Sequence, residues 1–380
     1  MAVPLLGARA LIDRAIPTGL DGAEILKFQL RDGRTAEQVI GEAAAMIGDL
    51  NEQLNGEFGG LWTITEQQFA RYADGQSAVS KTPVKTEFKR ADGVRSRSIG
   101  HMLPLENYED AVEWTPLYLR DAYAIDVTND LQLIADRWRN RVWDDFVRRA
   151  PTNTENAIGS AGYDVPWAIG TGTNVNYIPP QYRNYVFESD HTHFVVSNTG
   201  SSGTFATLME DMMEELRHHG HSGVLSALVS YEDLASYSVF ATSGQFVEFN
   251  PAAIQIIAGS SSAPVRTTPG IAEGVPGEVF GWWKSKHYGL CELRAEPGIP
   301  TGYAWMAKSY GLNSPRNPVA VRVHPSEGFG LMLDPQVTRS INPELDFIQF
   351  RATHGVGVND RIAAAAGFCG ASATWVNPSF

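Results

Sequence analysis

Three stretches of the chain repeat their apolar residues at helical spacing. In "TAEQVIGEAAAMIGDLNEQLNG", the positions Val39, Ile40, Ala43, Ile47, Leu50 and Leu54 fall on one face. Thr35 and Gln38 stand ahead of them at capping-box spacing, and Gly56 offers a stop. The longest pattern lies between Leu117 and Arg149. There Leu131, Ile134, Trp138, Val142 and Phe146 step by three and four, with Arg and Asp on the other faces and Pro151 just beyond. A helix over that whole span is about 50 Å long at 1.5 Å per residue, and so thin a stripe suits a strut packed on a sheet. The third stretch, "GTFATLMEDMMEELRHHGHSG", puts Phe205, Leu208, Met212 and Leu216 on one face, with acids early and histidines late as the helix dipole favours.

Elsewhere the period is two. From Val79 to Leu103 the chain alternates Val84, Thr86 and Phe88 with Lys85, Glu87 and Lys89, turns at Asp92-Gly93, and returns with Arg95 and Arg97 on one face. This predicts a two-stranded hairpin. Arms of about 11 residues reach on the order of 35 Å, yet the ribbon holds too few apolar residues for a core of its own. It must lie on another surface. Further strands are predicted at "YVFESDHTHFVVSN", "VLSALVS" (followed by a turn of helix), "FVEFN", "AAIQIIAG", "VAVRVHP" and "DFIQFRATHGVGV". The Ala-rich end, "RIAAAAGFCGASATWV", reads as closely packed strand or turn. Residues 1 to 33 carry scattered apolar positions among Pro4, Pro17, Gly19 and Gly22 and read as an arm held by a neighbour.

Composition narrows the class. At 380 residues the chain is too long for one comfortable core, which predicts two lobes or one lobe with long extensions. With 43% hydrophobic and 19% charged residues it is not a disordered chain, and 36 Gly and 21 Pro imply many turns and much strand. The net charge is −13, but the ribbon has six cations against two acids, so it carries +4 and the remainder −17. An acidic body does not grip nucleic acid through its general surface. Cys291 and Cys369 give no disulfide framework and fit a reducing compartment. The start of the chain lacks a basic region followed by a sustained apolar run, and no apolar stretch of about 18 residues occurs, so neither export nor a membrane span is expected.

Candidate chemistry is thin. His191 and His193, two apart, face the same side of a strand, but no third ligand stands at a fixed spacing to them, and no metal is expected. His218, His219 and His221 sit where a helix ends, a place that suits cations in any case. "GTGTNVN" at Gly170 and "GVGVND" at Gly355 lack the third glycine of a dinucleotide loop, and neither a Gly-Lys-Ser/Thr loop nor a Gly-x-Ser-x-Gly elbow occurs. Asp144-Asp145 and Glu214-Glu215 read as solvated helix faces. Trp282-Trp283 reads as buried packing or a subunit contact before a stacking platform. No cofactor and no catalytic residue is predicted. Arm, basic ribbon, strut and acidic body each need a partner surface, and another copy of the chain supplies it with the fewest assumptions.

In the order of these elements the chain resembles the tailed-bacteriophage major capsid proteins of the Hong Kong 97-like fold. The resemblance implies an α+β fold in segments: an N-terminal arm (1–75), an extended β-hairpin loop (76–110), and a peripheral domain with a long spine helix (111–200). An axial domain (201–305), a return to the peripheral domain (306–345) and a C-terminal strand and tail joining the axial domain (346–380) follow. It implies a structural, non-enzymatic role in the virion: self-assembly through hexamers and pentamers, in the host cytoplasm, into an icosahedral head that encloses double-stranded DNA without binding it specifically. The extended loop would lie on a neighbouring subunit through Lys81, Lys85, Lys89, Arg90, Arg95 and Arg97. Asp144 and Asp145 are candidates for the facing surface. With no room for an N-terminal scaffolding segment, a separate scaffolding protein is expected, along with a portal and, as an option, decoration proteins. Some members crosslink a loop lysine to a neighbour's asparagine, but nothing in this sequence identifies the asparagine. A nanocompartment shell of the encapsulin type and an unrelated β-rich enzyme are the alternatives.

Overall fold

The computed structural model describes residues 29–73, 98–157, 163–172, 175–201, 203–248, 256–257, 265–266, 274–333 and 346–380. The arm up to residue 28 and the ribbon from 74 to 97 therefore lie outside the described residues. Five α-helices are described: α1 Ala36–Phe58, α2 Pro116–Asp121, α3 Ala124–Arg149, α4 Phe205–His218 and α5 Leu234–Ser238. The strands of three or more residues start with β1 Trp62–Thr65, β2 Phe69–Ala73, β3 Ser98–Met102, β4 Glu106–Trp114 and β5 Phe194–Asn198. They continue with β6 Leu225–Val229, β7 Phe246–Glu248, β8 Glu278–Ser285, β9 Gly289–Ala295, β10 Tyr303–Ala307, β11 Val319–Val323, β12 Asp346–Val358 and β13 Ala364–Gly370. The chain is thus α+β and divides into two compact units.

The first unit comprises Met1–Asn55, Leu105–Asp144 and Val323–Gly355. The capping box forms as expected: Gln38 N–H donates to Thr35 Oγ1 at 3.3 Å and Thr35 N–H to Gln38 Oε1 at 3.2 Å. Val39, Ile40, Ala43 and Ile47 are buried along α1. β4 and β12 pair antiparallel from Asp346 opposite Trp114 to His354 opposite Glu106. Trp138 of α3 meets the His354 ring edge-on at 5.1 Å, and its Nε1–H donates to Asn51 Oδ1 at 3.1 Å. The same Asn51 exchanges two hydrogen bonds with the backbone of Leu331.

The helix expected from Leu117 to Arg149 is broken. Ala122 is extended (ψ 150°), and the Asp126 carboxylate accepts from Tyr123 N–H at 2.9 Å, which starts a new helix. α3 has 26 residues, about 39 Å at 1.5 Å per residue. Its expected stripe, Leu131, Ile134, Trp138, Val142 and Phe146, is buried throughout.

The second unit comprises Gly56–Pro104, Asp145–Arg322 and Val356–Phe380. Its centre is a seven-stranded mixed sheet in the order β5-β13-β10-β6-β9-β8-β7. Pairing is parallel between β13 and β5 and between β9 and β6, and antiparallel elsewhere. α4 seats Leu208, Met209, Met212, Met213 and Leu216 in the core beside this sheet. Small residues on β13 let it come close: a Cβ on Gly367 would fall 2.4 Å from the Met212 sulfur. Thr204 caps α4 by accepting from Thr207 N–H, and Gly220, at φ +84°, turns the chain just past its end. Among the described residues no helix is long and apolar enough to cross a membrane.

Candidate assembly surfaces and a histidine cluster

The six cations of the ribbon lie outside the described residues. β2 and β3 pair antiparallel from Phe69 opposite Met102 to Ala73 opposite Ser98, so the chain leaves and re-enters this pair on either side of residues 74–97. Ser98–Met102, expected to return along the ribbon's first arm from a turn at Asp92-Gly93, pairs instead with Phe69–Ala73.

Of the acidic positions named for the facing surface, Asp144 and Asp145 are half-buried and already engaged within the chain. Exposed acid is found on α1, at Glu37, Glu42, Asp49 and Glu52, and on β4, where Glu109 and Glu113 point outward on the same side as Ala111. The alternate residue Asp110 turns toward α3 and accepts from Arg137 at 2.8 Å. A recess of about 650 Å³ lies there, lined by Tyr108, Asp110, Arg137, Trp138 and Arg141.

Three histidines gather in the second unit. His193 Nε2 lies 2.9 Å from His219 Nε2, and His191 Nε2 lies 3.0 Å from the same atom. The segment ahead of β5 contributes the first two rings and the end of α4 the third, so the third ligand missing from the sequence pattern is supplied by the fold. His193 is fully buried; its Nδ1 faces the Ala364 carbonyl at 2.7 Å. His191 Nδ1 faces the Glu215 carboxylate at 3.5 Å, and Phe187 stacks on the His219 ring at 4.3 Å. Burial draws the imidazole of His191 down to about 4 and those of His193 and His219 further, so all three are neutral near pH 7. Neutral imidazoles with converging nitrogens are the donor type that holds a divalent metal ion.

The acid pair Glu214-Glu215 departs from the solvated reading. Glu214 accepts from His218 one turn away at 3.1 Å. Glu215 is largely buried beside His191, and burial together with Glu214 and Asp211 pushes its carboxyl up to about 7. Trp282 and Trp283 are buried, and Trp283 Nε1–H donates to Glu210 at 3.1 Å. Gly355 and Gly357 lie within β12, an extended strand. Cys291 and Cys369 are free thiols, both buried.

No protein-family model matches the chain, and no curated protein matches it. Solved structures do. A chain of Mycobacterium phage Patience is similar at 19% identity with a TM-score of 0.62, over 96% of this chain and 97% of that one. A capsid structure of the cyanophage P-SCSP1u (11% identity, TM-score 0.45) covers 82% of this chain and 87% of its own. The capsid of a native GTA particle (12% identity, TM-score 0.42) covers 84% and 89%. At such identities a likeness speaks to fold alone, and the full-length match carries it: this chain shares its fold with the Mycobacterium phage Patience chain.

Proposed function

We propose that the chain is the major capsid subunit of a tailed bacteriophage, and that its copies assemble through hexamers and pentamers into the icosahedral head around double-stranded DNA. The observation that carries this reading is the likeness to the Patience chain over nearly the whole of both. In this reading residues 1–75 are the N-terminal arm, residues 76–110 the extended loop, and α3 is the spine helix. The stretches 201–305 and 346–380 form the axial domain with its closing strand. Exposed apolar residues on α2 and α3 and between them, Leu117, Tyr123, Ile125 and Leu133, support it, because contact with other copies would cover them. The chain acts as a wall and performs no catalysis. The acidic body lets packaged DNA slide, since each bound phosphate would add a salt-sensitive grip. Scaffolding, portal and decoration proteins are partners in the same reading.

Electron microscopy of particles from the expressed chain, with a scaffolding protein supplied if needed, tests this. Shells large enough for a phage genome are the expected outcome. Small cargo-filled shells would favour a nanocompartment, and a chain that never forms shells is no capsid subunit.

A further inference from the structure

Around His219 the protons do not suffice for the nitrogens that face one another. The carbonyl of Ala364, 2.7 Å from His193 Nδ1, has no proton to give. That ring therefore carries its proton on Nδ1 and presents a lone pair at Nε2. The Glu215 carboxylate, 3.5 Å from His191 Nδ1, favours the proton on that nitrogen by charge, which leaves the His191 Nε2 as a lone pair too. His219 Nε2 lies 2.9 and 3.0 Å from these two lone pairs and has at most one proton to share between them.

We propose that His191, His193 and His219 bind one Zn²⁺ ion through their Nε2 atoms, with Glu215 holding His191 in register through Nδ1. The ligand nitrogens lie within 4.8 Å of one another. Zinc–nitrogen bonds of about 2.0–2.1 Å in tetrahedral geometry place nitrogens about 3.3 Å apart, so on an ion the gaps of 2.9 and 3.0 Å open by a few tenths of an ångström while the widest, up to 4.8 Å, closes by as much as about 1.5 Å as the rings turn. Ala364 and Glu215 are the outer partners that such imidazoles commonly have. Phe187 stacks on the His219 ring, and His191, with its side chain 9% exposed, is the ring at the rim; a water would complete the four ligands. The ion pins the segment ahead of β5 to the end of α4, which makes it a staple within one subunit. The inference stands on these rings and does not depend on the capsid reading.

The full chain, prepared without a polyhistidine tag and stripped with chelator, is titrated with Co²⁺ as a coloured stand-in and then with Zn²⁺. One equivalent of Co²⁺ should give visible d–d absorption that Zn²⁺ abolishes, and Zn²⁺ should raise the thermal midpoint by several degrees. His191→Gln, at the rim of the cluster, should keep the metal-free melting temperature while weakening Zn²⁺ at least about tenfold, and His219→Gln should weaken it as much or more. Glu215→Gln should weaken it about tenfold. Absence of both the absorption and the thermal shift overturns the site. So does metal binding that persists when His191 and His219 are replaced together.

Discussion

His101, in β3, is 6% exposed and keeps its Nε2 2.8 Å from the Val358 carbonyl and 3.5 Å from Asp164. Arg149 reaches the other Asp164 oxygen at 2.6 Å. Burial draws the His101 imidazole down to about 3, with the positive charges of Arg361 and Arg149 adding to it. Its folded value thus lies below the unfolded value near 6.5, so the unfolded chain takes up the proton first as pH falls. Stability is lost from about pH 6.5 downward, by about 2 kcal/mol at pH 5 from this residue. His101→Gln should flatten the decline of the thermal midpoint between pH 6.5 and 4, even if it lowers the midpoint at pH 7.5. An unchanged slope would mean that His101 is not a source of the acid sensitivity. At this scale the sequence shows little. His191 and His193 announce a shared face, but His219 is 26 residues further on, and only the return of α4 past β5 makes the three a cluster. Glu215 likewise reads as one more acid on a charged helix until that helix packs.

Elements with a clear period were legible. α1, α4 and β12 stand where their patterns put them, although α1 runs two residues past Gly56, which stopped nothing. The break at Ala122 was not legible, because the stripe on either side remains in phase and the capping carboxylate of Asp126 looks like any helix acid. β4 was missed for its polarity and β10 for the opposite reason: all five of its residues are buried, so nothing alternates. Strand pairing also sets limits that no pattern announces. Gly281 of β8 sits where the register with β9 shifts, and a Cβ there would lie 2.5 Å from the Val247 carbonyl oxygen and 2.7 Å from the Phe246 ring. A backbone oxygen held in the β7–β8 ladder cannot swing away as a side chain can. Gly281→Ala should therefore cost about 2 kcal/mol, within the usual range for overpacking, read as a lower urea midpoint with an unchanged slope. A midpoint equal to that of the unaltered chain would show that β7 is free to move off the sheet.

For the whole molecule the strut and the mixed body were legible in the sequence, while the arm up to residue 28 and the ribbon from 74 to 97 lie outside the described residues. What the sequence leaves open is which surface receives the ribbon. Charge asymmetry points to an acidic one, since the ribbon carries +4 against −17 for the rest. Asp144 and Asp145 are half-buried and engaged, whereas Glu109 and Glu113 are exposed on β4. We therefore propose that the extended loop of one subunit rests on β4 of another. Each exposed ion pair contributes only about 0.2 to 1 kcal/mol, but a shell repeats the contact many times, so small terms decide assembly. The pair Arg95→Glu and Arg97→Glu should leave the monomer's thermal midpoint nearly unchanged and abolish shells in a sedimentation assay. Adding Glu109→Lys and Glu113→Lys should restore part of the assembly, because the reversed charges again face opposites. Unfolding of the monomer by the first pair would place the ribbon in an intramolecular core, normal shells would show that its charge does not matter, and failure of the rescue would move the receiving surface away from β4.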